Sequence, residues 1–235
     1  MAAVGLKDVR KVYPLGKTEV HAVKGVSFQI QEGEFVSIAG PSGSGKTTIL
    51  NLIGCIDVPT SGTVAVMETE TAGLNDKEVT NLRHQVLGFI FQSFNLVPVL
   101  NVTENVEFPL LIGNARVPKD ERSDWVGYLV ESVGLKEHLH HRPAELSGGQ
   151  RQRVAIARAL ANKPRIVLAD EPTANLDSET SQQIIGLMKY MNDKLGTTFV
   201  FSTHDSAIVG IADHVIRLHD GLVIEDKMTI AESDA

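Results

Sequence analysis

The stretch Phe35-Val36-Ser37-Ile38-Ala39-Gly40-Pro41-Ser42-Gly43-Ser44-Gly45-Lys46-Thr47-Thr48 decides the fold. Its first five residues form a short apolar run that stops at a glycine, as a strand buried on both faces does. Residues 46–55 read as a helix, so the glycine-rich stretch joins a strand to a helix N-terminus. Glycines there let backbone N–H groups turn inward, and the helix end adds unpaired donors and partial positive charge. Gly40, Pro41, Ser42, Gly43, Ser44, Gly45, Lys46, Thr47 and Thr48 thus form a phosphate cradle with P-loop spacing. Lys46 supplies a point charge for β- and γ-phosphates, and the Thr47 hydroxyl can ligate Mg²⁺. Nucleotide binding is the functional expectation.

Outward from the cradle the chain alternates strands and helices, which places it in the α/β class. Residues 4–12 and 20–30 read as strands before it, and residues 63–67 as a strand after it. Residues 76–86 are expected to be helical. From Phe91 to Arg142, loops at Pro98, Pro109 and Pro118 surround helical stretches such as 125–133, a candidate helical subdomain. Then come a helix (150–161), a strand (165–169), a helix (178–194), a strand (198–202) and a short helix from Ser206. Residues 215–218 and 222–225 read as a hairpin across His219-Asp220-Gly221, and the polar tail from Lys227 as loose. There is no internal repeat.

Two further stretches carry chemistry. In Ile166-Val167-Leu168-Ala169-Asp170-Glu171 a buried strand delivers Asp170 to its carboxyl end, where it can hold a Mg²⁺ shell. Glu171 follows at the tip, placed to accept a proton from an attacking water. Taken alone, such a pair is equally a solvated turn. Leu146-Ser147-Gly148-Gly149-Gln150 precedes a helix whose Val154, Ala157, Leu160 and Ala161 fall on one face. Ser147 can cap it, and the glycines expose its first N–H groups, making a second anion-binding helix end. A plain Ser-capped helix is the alternative. Arg151, Arg153 and Arg158 read as solvated or surface-paired.

The composition bounds the rest. Twenty-two basic against twenty-nine acidic residues give a net charge of −7, which argues against a nucleic-acid partner. Cys55 is the only cysteine, so an internal disulfide is excluded, and a buried small residue behind the P-loop helix explains it. No stretch approaches the ~18 apolar residues of a membrane span. Residues 1–13 carry Lys7, Asp8, Arg10 and Lys11 in place of an apolar signal core. The expectation is a cytosolic protein that meets a membrane only through a partner.

A P-loop, then Leu-Ser-Gly-Gly-Gln, then Asp-Glu after a strand, in that order, resembles an ABC-type ATPase cassette over nearly the whole chain. The resemblance implies a single domain, 1–235, with a mostly parallel central sheet, an N-terminal antiparallel β subdomain and an inserted helical subdomain over about 92–163. It implies ATP and Mg²⁺ as ligands. Tyr13 resembles the aromatic that stacks on adenine, and Gln92 the glutamine that senses Mg²⁺ and the γ-phosphate. His204 resembles the histidine contacting that phosphate, with Glu171 as the base; Asn175-Leu176-Asp177 resembles the loop that crosses between cassettes. Read without the family, Tyr13 is an edge-strand aromatic, Gln92 a surface amide and His204 a helix cap. In the family, residues of the Ser147, Gly148, Gly149, Gln150 kind complete the ATP site of a second copy. Two chains would then enclose two ATP molecules across an isologous interface.

Gly54-Cys55-Ile56-Asp57, Phe91-Gln92-Ser93-Phe94-Asn95-Leu96 and the run from Ala169 to Asp177 narrow the resemblance to ATPases of lipoprotein-release, macrolide-export and related bacterial systems. Ala174 and Glu68 depart from it, each standing where a glycine is common. The implied partners are a second copy and integral membrane permease subunits, docked near residues 94–106 at the cytoplasmic face of the inner membrane. A regulatory cassette coupling ATP to cell-wall or division machinery uses the same chemistry and is the alternative.

Overall fold

The computed structural model describes residues 1–16, 18–112 and 118–229. Two sheets organise it. The first is antiparallel, in the order β2-β1-β4-β5, from β1 (Ala2–Leu15), β2 (Thr18–Gln31), β4 (Ser61–Val66) and β5 (Thr69–Glu70). The second runs β10-β9-β3-β8-β7-β6, from β3 (Phe35–Ala39), β6 (Leu87–Ile90), β7 (Ile166–Ala169), β8 (Thr198–Thr203), β9 (His214–His219) and β10 (Leu222–Met228). Its pairings are parallel except for the β9–β10 hairpin.

Alternation along the parallel strands sorts the core into two halves. Val36, Ile38, Ile166, Leu168 and Val200 face α1 (Lys46–Ile53) and the antiparallel sheet, packing on Ile49, Leu52 and Ile53. Phe35, Val167, Phe199 and Phe201 face the opposite way. There they meet α5 (Gly148–Leu160) through Val154, Ile156 and Leu160, and α6 (Ser178–Leu195) through Ile184, Ile185 and Met188. The second half continues into α3 (Val102–Ile112) and α4 (Lys119–Ser132) through Val102, Val106, Val126, Leu129 and Val130. The helix α2 (Asp76–Val86) is closed by a capping box between Asn75 and Glu78, and α7 (Ser206–Val209) is a single turn.

Several expectations need correction. Pro109 lies inside α3 rather than in a loop. The P-loop helix ends at Ile53, and Cys55 sits half-buried in a left-handed turn after it. The segment from Lys227 continues β10 to Met228, and the Thr229 N–H donates to the Asp213 carbonyl at 2.7 Å. The remainder of the expected loose tail, 230–235, lies outside the described residues.

The topology positions the site. β3 and β8 end in register, Ala39 beside Thr203, and β7 ends two residues short of them, with Ala169 between Phe201 of β8 and Ile90 of β6. The residues that follow these carboxyl ends therefore share one edge of the sheet, where open α/β sheets bind ligands.

Candidate nucleotide site

The cradle after β3 has the backbone its glycines foretold. Gly40, Gly43 and Gly45 have φ of 155°, 78° and 103°. At Gly40 the packing also demands glycine: a Cβ would stand 2.3 Å from the Leu218 carbonyl oxygen. Gly45 caps α1 without a side chain, so the first N–H groups of the helix keep their donors for a ligand. Lys46 is only 5% exposed, and its Nζ donates to the carbonyls of Gly40 (2.9 Å) and Pro41 (3.0 Å). A buried ammonium held only by loop carbonyls and a carboxylate 3.7 Å away on Glu171 is one for which phosphate is the stronger partner. Ser42, Gly43 and Thr47 are exposed, Thr48 is half-buried, and Ser44 is buried with no partner for its hydroxyl among the described residues.

Asp170 and Glu171 meet this cradle. Thr47 Oγ1 donates to Asp170 Oδ1 at 3.0 Å. Glu171 has a left-handed backbone, φ 44°, and its Oε2 lies 3.4 Å from His204 Nδ1 at the end of β8. The His204 ring is thus directed at Glu171, while the Asp205 N–H that follows donates to Thr203 Oγ1 at 3.0 Å. One carboxylate therefore stands between a lysine and a histidine at the mouth of the loop, an arrangement able to hold and deprotonate a water.

Gln92 follows β6 and is exposed; its side chain makes no hydrogen bond among the described residues, while its carbonyl accepts from Asn175 Nδ2 at 2.9 Å. Beyond it Phe94 and Asn95 are both left-handed, with φ of 60° and 49°. Arg158 of α5 holds them, donating to the Phe94 and Asn95 carbonyls at 2.7 and 2.5 Å, and Arg151 lies 5.2 Å from the Phe94 ring centre. Arg153 donates to the Val133 carbonyl at 2.9 Å. Arg153 also pairs at the surface with Gln183 Oε1 at 3.5 Å, as expected, while Arg158 and Arg151 are turned to the 94–95 turn of their own chain. Burial lowers the Arg158 pKa.

Ser147 caps α5 through a reciprocal box, Gln150 N–H to Ser147 Oγ at 3.3 Å and Ser147 N–H to Gln150 Oε1 at 2.8 Å. Gly148 and Gly149 back onto the start of α6 and the turn before it: a Cβ on them would stand 3.1 Å from Leu176 and 2.7 Å from Thr180. Among the described residues nothing ties 147–150 to the cradle of the same chain.

Tyr13, on β1, has its hydroxyl fixed. It donates to Asp57 Oδ2 at 2.7 Å, while Lys11 Nζ lies 4.8 Å from the ring centre and donates to Asp57 Oδ1 at 2.5 Å. Burial and the Asp57 bond push the phenol's pKa up, and Thr48 beside it opposes that. Burial raises the Asp57 pKa, but bonds from Lys11, Tyr13 and the Val58 N–H outweigh it and hold the carboxylate down. Asp57, Arg158 and Ser202, whose hydroxyl donates to Asp170 Oδ1 at 2.7 Å, are the site's unforeseen members.

The family model for ABC transporters matches residues 23–174. The chain belongs to the ABC transporter family. An uncharacterized ABC transporter ATP-binding protein of Thermotoga maritima is 48% identical over 218 residues, covering 93% of this cassette and 92% of that protein. The macrolide export ATP-binding/permease protein MacB of Syntrophobacter fumaroxidans is 41% identical over 99% of this cassette, which spans 32% of that longer chain. A dimeric post-hydrolysis structure of the MJ0796 cassette bound to ADP and Pi superposes with a TM-score of 0.87 at 46% identity, covering 96% of this cassette and 98% of that chain. The cassette is an ATP-binding ATPase with the α/β fold of that family. None of its helices, among the described residues, is long and apolar enough to cross a membrane.

Proposed function

We propose that this cassette binds MgATP between two head-to-tail copies and, by hydrolysing it, drives a separate membrane-embedded subunit from the cytoplasmic side in an extrusion system for lipoprotein, macrolide or peptide-like cargo. The observation that carries the reading is the convergence of Lys46, Thr47, Asp170, Glu171 and His204 at one sheet edge. Lys46 leaves the loop carbonyls for the β- and γ-phosphates, which the N–H groups of the cradle and α1 surround. Glu171 takes a proton from water as its oxygen bonds the γ-phosphorus and the bond to the ADP oxygen breaks. His204 orients Glu171 and contacts the γ-phosphate, and Tyr13 offers its ring to adenine.

Thr47, Asp170 and Gln92 are all oxygen donors, two of them 3.0 Å apart, the hard set that suits Mg²⁺. When bound, the ion neutralises charge on the phosphate oxygens. The second copy supplies Ser147, Gly148, Gly149 and Gln150 to the γ-phosphate. ATP is the shared charge, so the two-copy state is favoured with ATP and weakened by hydrolysis, and that difference does work on the partner.

For that partner the structure offers a groove of about 430 Å³ lined by Leu87, Phe89, Phe91, Pro109 and Ile112. It adjoins the expected docking stretch 94–106, from which Asn95 lines the groove and Val99 stands exposed. Asn95 and Arg158 also line it, so a segment seated there presses on the loop that carries Gln92. Support for a membrane partner comes from MacB, a permease by name of which the cassette matches about a third.

Two variants test the reading. Lys46→Ala should lose ATP binding in a calorimetric titration. Glu171→Gln should bind ATP normally and turn over about 10²–10⁴-fold more slowly. Micromolar affinity in the first, or ordinary turnover in the second, contradicts it.

A further inference from the structure

β8 lies between the P-loop strand β3 and the Asp170 strand β7, so its last residues are the wall that both functional loops share. On its α1-facing side Val200 is followed two residues later by Ser202, which is fully buried where the period of two calls for another apolar side chain. A buried hydroxyl must be satisfied, and Ser202 spends both its capacities on the site. It donates to Asp170 Oδ1 at 2.7 Å and accepts from the Glu171 N–H at 2.8 Å. Asp170 Oδ1 also receives the Thr47 hydroxyl.

We propose that Ser202 is a positioning residue for ATP hydrolysis: its one hydroxyl locks the Asp170 carboxylate and the Glu171 backbone into a single unit. The inference rests on Glu171 being the base. Glu171 has φ 44°, a conformation that a residue with a Cβ keeps only when its surroundings hold it. Four contacts hold it: the Ser202 bond to its N–H, the Ala174 N–H bond to its carbonyl at 3.2 Å, and the side-chain contacts to Lys46 and His204. Both side-chain contacts involve groups that turn to phosphate when ATP binds. The Ser202 and Ala174 bonds to the Glu171 backbone then remain, and of the two it is the Ser202 hydroxyl that also bonds Asp170, tying the base's position to the metal-facing side of the loop.

The test uses the full chain with Ser202→Ala and Ser202→Thr. Alanine removes donor and acceptor together while leaving the cradle's contacts to ATP untouched; threonine restores a hydroxyl at the same carbon. Ser202→Ala should bind ATP within about twofold of the wild type and lose at least about tenfold in kcat, the cost of orphaning a buried N–H beside a base that must stay aligned. Ser202→Thr should recover most of that loss. Turnover of Ser202→Ala equal to the wild type overturns the proposal. So does a loss of ATP affinity as large as the loss of kcat, or an alanine defect that threonine leaves unrepaired although both variants melt with the wild type. Glu171→Gln is run beside them: if it turns over normally, the base assignment itself falls, whereas a dead Glu171→Gln beside an unaffected Ser202→Ala removes only the role of Ser202.

Discussion

Asp57 is the residue through which the P-loop helix and the base platform touch. It sits just beyond the end of α1, yet its two oxygens hold Lys11 and Tyr13 of β1, so the ring we propose for adenine is fixed from the segment that follows the helix carrying Lys46 and Thr47. Lys11 Nζ lies 4.8 Å from the centre of that ring, and in the proposed function adenine stacks on the opposite face. Asp57→Asn should weaken ATP binding roughly three- to tenfold, as the loss of a charged hydrogen-bond acceptor does, with kcat unchanged. Inorganic triphosphate, which has no base, should bind the variant and the wild type alike in competition titrations. A second single-residue effect concerns stability. Met67 and Glu68 have φ of 48° and 63° in the two-residue turn between β4 and β5, so Glu68 occupies a left-handed position suited to glycine. Glu68→Gly should relieve ~1–2 kcal/mol of backbone strain against ~0.4–1 kcal/mol of added unfolded-state entropy, a net gain of about 0.5–1 kcal/mol in urea unfolding.

At the scale of elements, the β9–β10 hairpin is joined to the start of β3 by a buried histidine. His214 lies 3.0 Å from Glu34 Oε2 through Nδ1 and 2.6 Å from Asp226 Oδ1 through Nε2. Burial disfavours the cation, but the bonds and charges of Asp226 and Glu34 outweigh it and raise the pKa above 6.5. A raised pKa in the folded state means that the native chain binds a proton more tightly than the unfolded one. This contribution is complete below the unfolded value of about 6.5 and fades as pH climbs through the raised one. The urea midpoint of His214→Asn should therefore fall furthest below the wild type at mildly acid pH, and the gap should narrow toward pH 9; a gap independent of pH refutes the charged histidine. Elements differ in how far the sequence announced them. β3, β7 and β8 were legible because strands buried on both faces are apolar runs bounded by glycine or charge, and the cradle because its glycines are chemically required. β6 was missed because Leu87 follows Val86 of α2 with no turn residue between them. α3 was broken at Pro109 by propensity, but Val102 and Val106 are buried in the core, and Asn105, wholly buried, fastens the preceding loop through bonds to Val97, Leu100 and Asn101. Packing overrides the proline's cost. Ser202 and Asp57 escaped because their function lies in contacts between distant strands, which periodicity does not encode.

The whole-molecule question is where the phosphate site ends. Within one chain, Gly148 and Gly149 back onto Leu176 and Thr180, with no contact to the cradle among the described residues, so under the proposed function each copy presents two separate half-sites. If a two-fold axis joins the cradle of one copy to the capped helix of the other, damage to the two halves should complement. A chain with Lys46→Ala keeps a sound Ser147 region; a chain with Ser147→Arg keeps a sound cradle. In their mixed dimer both lesions fall in one composite site, and the other composite site is intact. Each variant alone should be nearly inactive, whereas an equal mixture should regain about a quarter of wild-type turnover, since half of the randomly assorted dimers are mixed and each has one of two sites. Ser147→Arg also removes a helix cap worth ~1 kcal/mol, so melting curves must first show that both variants are folded at the assay temperature. The same geometry predicts that Glu171→Gln, which holds ATP unhydrolysed, elutes with ATP at twice the 25.5 kDa of one chain and returns to one chain when ATP is withdrawn. Folded variants whose mixture stays silent, together with a Glu171→Gln that remains single in ATP, would mean that one copy closes its own site and that the arrangement at 147–150 is a helix cap and nothing more.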